Sequence, residues 1–467
     1  MSRVLSLAGL AVLSFVFLGN ALKSVITSTV FLSQGEFASF LNISVDKTQI
    51  LIELLIGGSI MALALAPFIL NGYRARKIAT ISALGSTLCF ALLGWMIFSA
   101  PGLWVREILV ITTFALGGFF ISFFAPIAQM AINAARNEHE RTLLATVWTS
   151  AQTVAALITP QLVKHVAPII GLDIYFLLFS LLPILYLLLT FRVLKLLPTS
   201  AGNEPDSIKP DGKLLGWMIV SILAFEAWTG SNSLAGVTAG VSLTLMLLFF
   251  VAALLFYTYL RKVNWASSDS AKSIPKTAVL LLITLFFFQI PSTGFFENAY
   301  LVRHHHAPAL IDNRASLGAA LQITSVLVTG ALYMRWPHYI ALYLMIGILL
   351  LFAGTYSYTD YPSLPAHATL FYTSKMLTSA GMGAITTACI AVTISLSRDN
   401  PVIALLPALM IMFGTECGLE ILEIIFQVSI LAGHSETTAY EIILFTQVGA
   451  VVLATIPCLR AYQSGLH

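Results

Sequence analysis

The chain is a succession of apolar runs separated by short polar clusters. A helix needs about 20 apolar residues to cross the hydrocarbon core of a bilayer. Runs of that length lie near residues 4–30, 48–70, 78–98, 107–134, 142–166 and 172–196. A polar stretch follows from Thr199 to Lys213, carrying Glu204-Pro205-Asp206 and Lys209-Pro210-Asp211-Gly212. Two more runs lie near 214–230 and 234–260, and a second polar stretch runs from Arg261 to Lys276. Six further runs lie near 277–300, 315–334, 338–358, 365–396, 402–430 and 437–459. The pattern predicts an all-α polytopic membrane protein whose helices are grouped six, two and six. The first bundle covers 1–198, a linker with two inserted transmembrane helices covers 199–276, and the second bundle covers 277–467. The run at 214–230 is the weakest, being short and carrying Glu226.

Composition narrows the class. Hydrophobic residues make up 58% of the 467 residues and charged residues 10%, against about 25% charged in an average soluble domain. A soluble enzyme, a nucleic-acid binder or a disordered scaffold needs a polar surface that this chain does not supply. The net charge of +3 is too small to argue for a polyanionic partner. Cys89, Cys389, Cys417 and Cys458 all fall in apolar runs and read as small apolar residues, not as a disulfide or zinc set. Arg3 followed by an apolar run resembles a signal segment. The run continues past Ala21 with no convincing cleavage site, so it is read as an uncleaved first span.

Charge sets the orientation. With the N-terminus in the cytoplasm and fourteen crossings, most of the 24 lysines and arginines fall on the cytoplasmic side. Only Lys47, Arg106, Lys164, Arg303 and Arg314 fall outside, and Lys23 and Lys375 stay in the membrane. Dropping the weak span would put Arg335, Arg398 and Arg460 outside, so the even count is favoured and both termini are expected in the cytoplasm. Six plus six suggests a duplicated transporter, with two pseudo-symmetric bundles around a central cavity and a substrate site near the midplane. No filter-like stretch argues for a channel.

Three places resemble the major facilitator superfamily, and the six-two-six grouping resembles its fourteen-helix drug:proton antiporter branch. Asn71-Gly72-Tyr73-Arg74-Ala75-Arg76-Lys77 sits where the family has a G-x-L-A-D-R-x-G-R-R loop, with the basic end kept and the acid missing. Ala115 to Arg141 resembles the family's glycine-rich fourth span and the Glu-Arg that opens the fifth. Ala156-Leu157-Ile158-Thr159-Pro160 falls where exporters carry G-x-x-x-G-P, with the proline kept and the glycines absent. The antiporter branch has L-D-x-T-I-V in its first span. Here Leu22-Lys23-Ser24-Val25-Ile26-Thr27 replaces its acid with a lysine. The resemblance implies secondary active transport by alternating access. The branch favours efflux, while the lost acid and glycines weaken that direction.

Ionisable groups inside spans are costly and mark substrate or ion pathways by default. Glu416, Glu420, Glu423 and Gln427 are spaced i, i+4, i+7 and i+11, one face of a helix. Such a stripe cannot face lipid. Crowded carboxylates repel when ionised, so the stripe is expected to hold a proton near neutral pH, with Glu53 of the second span as a further proton-coupling candidate. The alternative is an ion-pair network that only holds helices together. Glu226 reads as a capped or snorkelled acid near the interface. Lys23 and Lys375 lie on the first and fourth helices of their bundles, which the resemblance implies line the cavity, where they would clamp an anionic or zwitterionic solute. Each could instead pair permanently with an acid. Asn20 shares the face of Lys23, and Gln129, Gln152 and Gln289 are further substrate-binding candidates, against the plainer reading of interhelical glue.

His304-His305-His306 are adjacent in an expected outer loop, so their side chains diverge and make a poor metal set. Gly117-Gly118 and Gly381-Met382-Gly383 read as close helix packing or rocking points. The sequence therefore predicts a monomeric, non-enzymatic, cofactor-free transporter of the inner or plasma membrane, driven by protons and moving a small organic solute. Multidrug or cation efflux and a non-transporting membrane sensor are the alternatives.

Overall fold

The computed structural model describes residues 7–43, 48–70, 75–135, 137–196, 212–236, 238–262, 276–292, 308–357, 368–396 and 401–463. The histidines at 304–306, Asn71 to Arg74 and both polar linkers lie outside the described residues.

Helices stand at every expected position. The first six spans are α1 (Leu7–Leu32), α3 (Gln49–Ile69), α4 (Ala75–Ser99), α5 (Leu103–Ser122) with α6 (Phe124–Asn133), α7 (Glu138–Gln161) with α8 (Ala167–Ile170), and α9 (Leu172–Phe179) with α10 (Leu182–Leu196). The inserted pair is α11 (Gly212–Ala235) and α12 (Gly240–Lys262). The last six are α13 (Lys276–Ser292), α14 (Pro308–Arg335), α15 (Ile340–Ser357), α16 (Ala368–Leu396), α17 (Pro401–Leu431) and α18 (Glu436–Gln463). Twelve helices among the described residues are long and apolar enough to cross a membrane. Lys276–Pro291 is a shorter apolar helix, and the 31-residue α17 carries the three acids; they occupy the ninth and thirteenth expected spans. The described residues form an all-α, multi-pass membrane protein.

Three local features depart from a simple run of spans. A short helix, α2 (Gln34–Leu41), follows the first span and ends at Asn42 in the left-handed region (φ 56°). It buries Phe37 edge-on to Phe114 at 5.4 Å. The fourth span breaks at Phe123 because Pro126 has no N–H to give the carbonyl of Ser122. The fifth starts at an Asn137 cap, whose Oδ1 accepts the Glu140 N–H at 2.8 Å, and loosens into a π-turn at Leu162–Val166 after Pro160. The weak span is longer than its apolar run, with 24 residues from Gly212 to Ala235.

The chain divides into two compact units. The first comprises 1–135 and 158–273, the second 136–157 and 274–467. In the first, α3 packs on α5, α4 on α5, α9 and α10, and α1 on α6 and α10. A Cβ at Gly58 would overlap the carbonyl of Ala115, and one at Gly118 the carbonyl of Leu55, so α3 and α5 touch backbone to backbone. The inserted hairpin belongs to this unit and packs through α11 on α3. In the second unit α16 packs on α14 and α15, and α13 on α17 and α18. A Cβ at Gly381 would lie 2.6 Å from the carbonyl of Gly347, and one at Gly383 2.7 Å from that of Gln322. The Gly118, Gly381 and Gly383 positions are thus close-packing points, as their sequence suggests.

Candidate functional site

In the first unit the candidate residues sit on α1 and α6. A Cβ at Gly19 would lie 2.6 Å from the Cβ of Ala128, so the two helices meet there. Tyr186 on α10 seats the contact. Its hydroxyl donates to the Phe124 carbonyl at 3.0 Å, and its ring packs on Phe15 at 4.9 Å and Phe124 at 4.3 Å. Asn20 and Gln129, one residue past the contact on each helix, are both buried, as is Lys23. Neither side-chain atom of the Gln129 amide has a hydrogen-bond partner among the described residues, and the residue is 0% exposed. An unpaired buried amide costs on the order of 1–3 kcal/mol, which a bound solute or water offsets. Ser24 and Thr27 return their hydroxyls to the carbonyls of Asn20 and Lys23 at 3.4 and 3.0 Å, so those hydroxyls serve the α1 backbone.

In the second unit the acidic stripe lies on α17. Glu416 and Glu420 are buried, and Glu423 is half-buried, accepting from the Gln427 Nε2 at 2.7 Å. The stripe therefore has a deep pair and a hydrogen-bonded end. Gln289 on α13 is buried against α17, with its Cβ 3.1 Å from where a Cβ at Gly414 would stand. Gln152, on the part of α7 in this unit, is exposed at its surface. A transmembrane amide in that position needs water or a polar partner. Lys23, Glu53, Lys375, Glu416 and Glu420 are each engaged by neighbouring groups.

Lys375 on α16 runs its stem over Gly318 of α14, where a Cβ would lie 2.9 Å from its Cγ. One turn back on α14 stands a residue that charge counting put on the outer side. Arg314 lies inside α14 and is 2% exposed. Its Nε donates to the Phe371 carbonyl at 2.9 Å, and its guanidinium lies 4.7 Å over the Phe371 ring. The available signal was its place seven residues into a helix opened by Pro308, with Gly318 at i+4.

Glu226 also stands elsewhere than its sequence suggests. It is not snorkelled. Its carboxylate lies against Gly57 in the body of α3, where a Cβ would overlap it, and Glu53 is the charged group that acts on it. Arg76 and Lys77 are exposed at the start of α4, and Arg141 is buried beside Glu138 at 3.6 Å. Among the described residues no three His, Cys, Asp or Glu side chains group as metal ligands.

No protein-family model matches the chain, and no curated protein sequence does. Solved structures do match along its whole length. The human organic anion transporter MFSD10 (TETRAN) is similar with a TM-score of 0.60 at 13% identity, covering 96% of this chain and 99% of its own. A bacterial homologue of the iron transporter ferroportin, in an outward-facing state, is similar with a TM-score of 0.61 at 13% identity, covering 97% and 99%. The proton:xylose symporter XylE, an Escherichia coli protein, is similar with a TM-score of 0.58 at 15% identity, covering 95% and 94%. The chain has the major facilitator fold.

Proposed function

We propose that this chain is a proton-coupled secondary transporter of the major facilitator superfamily. It moves a small organic anion or zwitterion across the cytoplasmic membrane by alternating access, with both termini in the cytoplasm. Glu416 and Glu420 take protons, with Glu423 as the hydrogen-bonded end of the same stripe. Lys23 and Lys375 hold or gate the solute, with Asn20, Gln129, Gln152 and Gln289 as polar contacts. The observation that carries this reading is the pair of buried acids one turn apart on α17. A transmembrane helix bears that desolvation only where the charge is used or neutralised. Each proton crossing the full potential supplies about 2.3 kcal/mol per 100 mV.

The buried Lys23, in place of the acid expected in the first span, favours an anionic partner over a cationic drug. Of two structural neighbours, one is an organic anion transporter, which supports the anionic class, and one is a proton:xylose symporter, which supports proton coupling. The six-two-six grouping supports the fourteen-helix branch, and with it efflux. Counterflow in proteoliposomes across anionic, zwitterionic and cationic solutes tests the assignment. Exchange of a carboxylate-bearing solute that falls in Lys23→Ala and Lys375→Ala is the expected result. Exchange confined to cationic dyes overturns the anion reading, and silence across all classes favours a sensor.

A further inference from the structure

The second span and the inserted hairpin carry the same short pattern. α3 contains Glu53-Leu54-Leu55-Ile56-Gly57, and α11 contains Glu226-Ala227-Trp228-Thr229-Gly230. The two segments meet head to tail. Glu226 lies against Gly57, and the carboxylate of Glu53 faces Gly230, where a Cβ would stand 3.8 Å from its Oε2. Glu226 thus fills the hollow at Gly57, Glu53 borders the one at Gly230, and the two carboxyl groups lie along one seam. The fits differ. A Cβ at Gly57 would overlap the Glu226 carboxylate, whereas one at Gly230 would make an ordinary van der Waals contact. Glu53 is 7% exposed. The Oε1 of Glu226 is buried with no hydrogen-bond partner among the described residues.

The rest of the hairpin holds α11 in this register. Ser231 and Ser242 bond across its turn at 2.7 Å, and Trp228 stacks on Phe249 of α12 at 5.8 Å. The other charged groups on the packed elements are few. On α1 there is Lys23, and on α5 there are Arg106 and Glu107. Arg106 is spent on the carbonyls of Phe40 and Pro101. On α11 there is Lys213 in the first turn, and α12 shows no charged side chain among its described ones. Glu53 is a charged neighbour of Glu226.

Two carboxylates held in one seam between packed helices cannot both ionise without strong repulsion. With one proton between them they form a charge-assisted hydrogen bond. We propose that the inserted hairpin is fastened to the second span by Glu53 and Glu226 sharing one proton. The hairpin grips the span while the pair holds that proton and loosens when the proton leaves. The sign follows: the stabilisation is present at low pH and is lost as pH rises through the titration of the pair. This goes beyond the transport reading, because a chain that moved no solute would still have the brace.

Thermal unfolding of the full chain in lipid nanodiscs at about pH 6 and about pH 9 reads it out, the upper value being where documented buried glutamates have ionised. Wild type should lose several degrees of Tm between the two. Glu226→Gln and Glu53→Gln should each lose much less, and the double variant should be no flatter than either single one. Gly57→Ala should lower Tm at pH 6, and Gly230→Ala should not. Equal pH slopes in wild type and both Gln variants overturn the proposal. Restoration of wild-type Tm at pH 9 by sodium or calcium also overturns it, in favour of a cation site.

Discussion

The chain places acids in the membrane in two ways. On α17, three glutamates run along one face of one helix, the inner two buried and the last bonded to Gln427. Between α3 and α11, two glutamates come from helices far apart in sequence, each lodged against a glycine of the other. The first arrangement is a property of one segment, and any helix built on that spacing has it. The second exists only once an inserted hairpin has packed, and it depends on residues with no side chain. The stripe groups its acids on one helix, whereas the seam brings two helices together.

Substitutions at these sites are read first in flux and then in stability. Glu416→Gln should reduce proton-driven uptake about tenfold or more, the scale of 1.4 kcal/mol, while leaving thermal stability close to wild type. An equal loss of both would make the stripe a packing feature. Arg314→Ala should come next, through stability. It breaks a charge-assisted hydrogen bond to the Phe371 carbonyl and a cation–π contact, about 2–3 kcal/mol together. Arg314→Lys should recover only part, since lysine lacks the planar fork; chemical denaturation of both variants checks this. Gly57→Ala should cost about 1–3 kcal/mol from overpacking at the seam, and a neutral result would show that Glu226 leaves its hollow freely. Glu423→Gln should lower uptake less than Glu416→Gln in the same flux assay, since an amide at 423 can still accept from Gln427. Gly230→Ala should be the smallest, neutral or stabilising by about 0.5–1 kcal/mol from helix propensity, and a large loss of Tm would mean the seam is tighter on that side than it stands.

The helices and the α17 stripe were legible because apolar length and 3.6-residue spacing are local properties. Even the weak inserted span was found, although its true ends at Gly212 and Ala235 were not, because Lys213 and Ser231-Asn232-Ser233 break the apolar pattern there. Arg314 was counted only as an outer-side charge, and its burial inside α14 was not legible. Counting charges assigns any arginine at a span edge to a loop, and only the packing of α14 on α16 buries it. The Glu53–Glu226 seam left a trace, the repeated Glu-x-x-x-Gly, but the pairing of the two copies is a tertiary fact. The break at Phe123 could have been read from Pro126.

The central claim is that protons drive a solute across this chain through the α17 acids. Uptake of a carboxylate-bearing solute into proteoliposomes, with a pH gradient imposed in either direction, tests it directly. Wild type should accumulate the solute above equilibrium under one sign of gradient. Glu416→Gln should keep counterflow exchange and lose that accumulation. Accumulation in Glu416→Gln equal to wild type, or uptake in wild type indifferent to the gradient, would contradict the account.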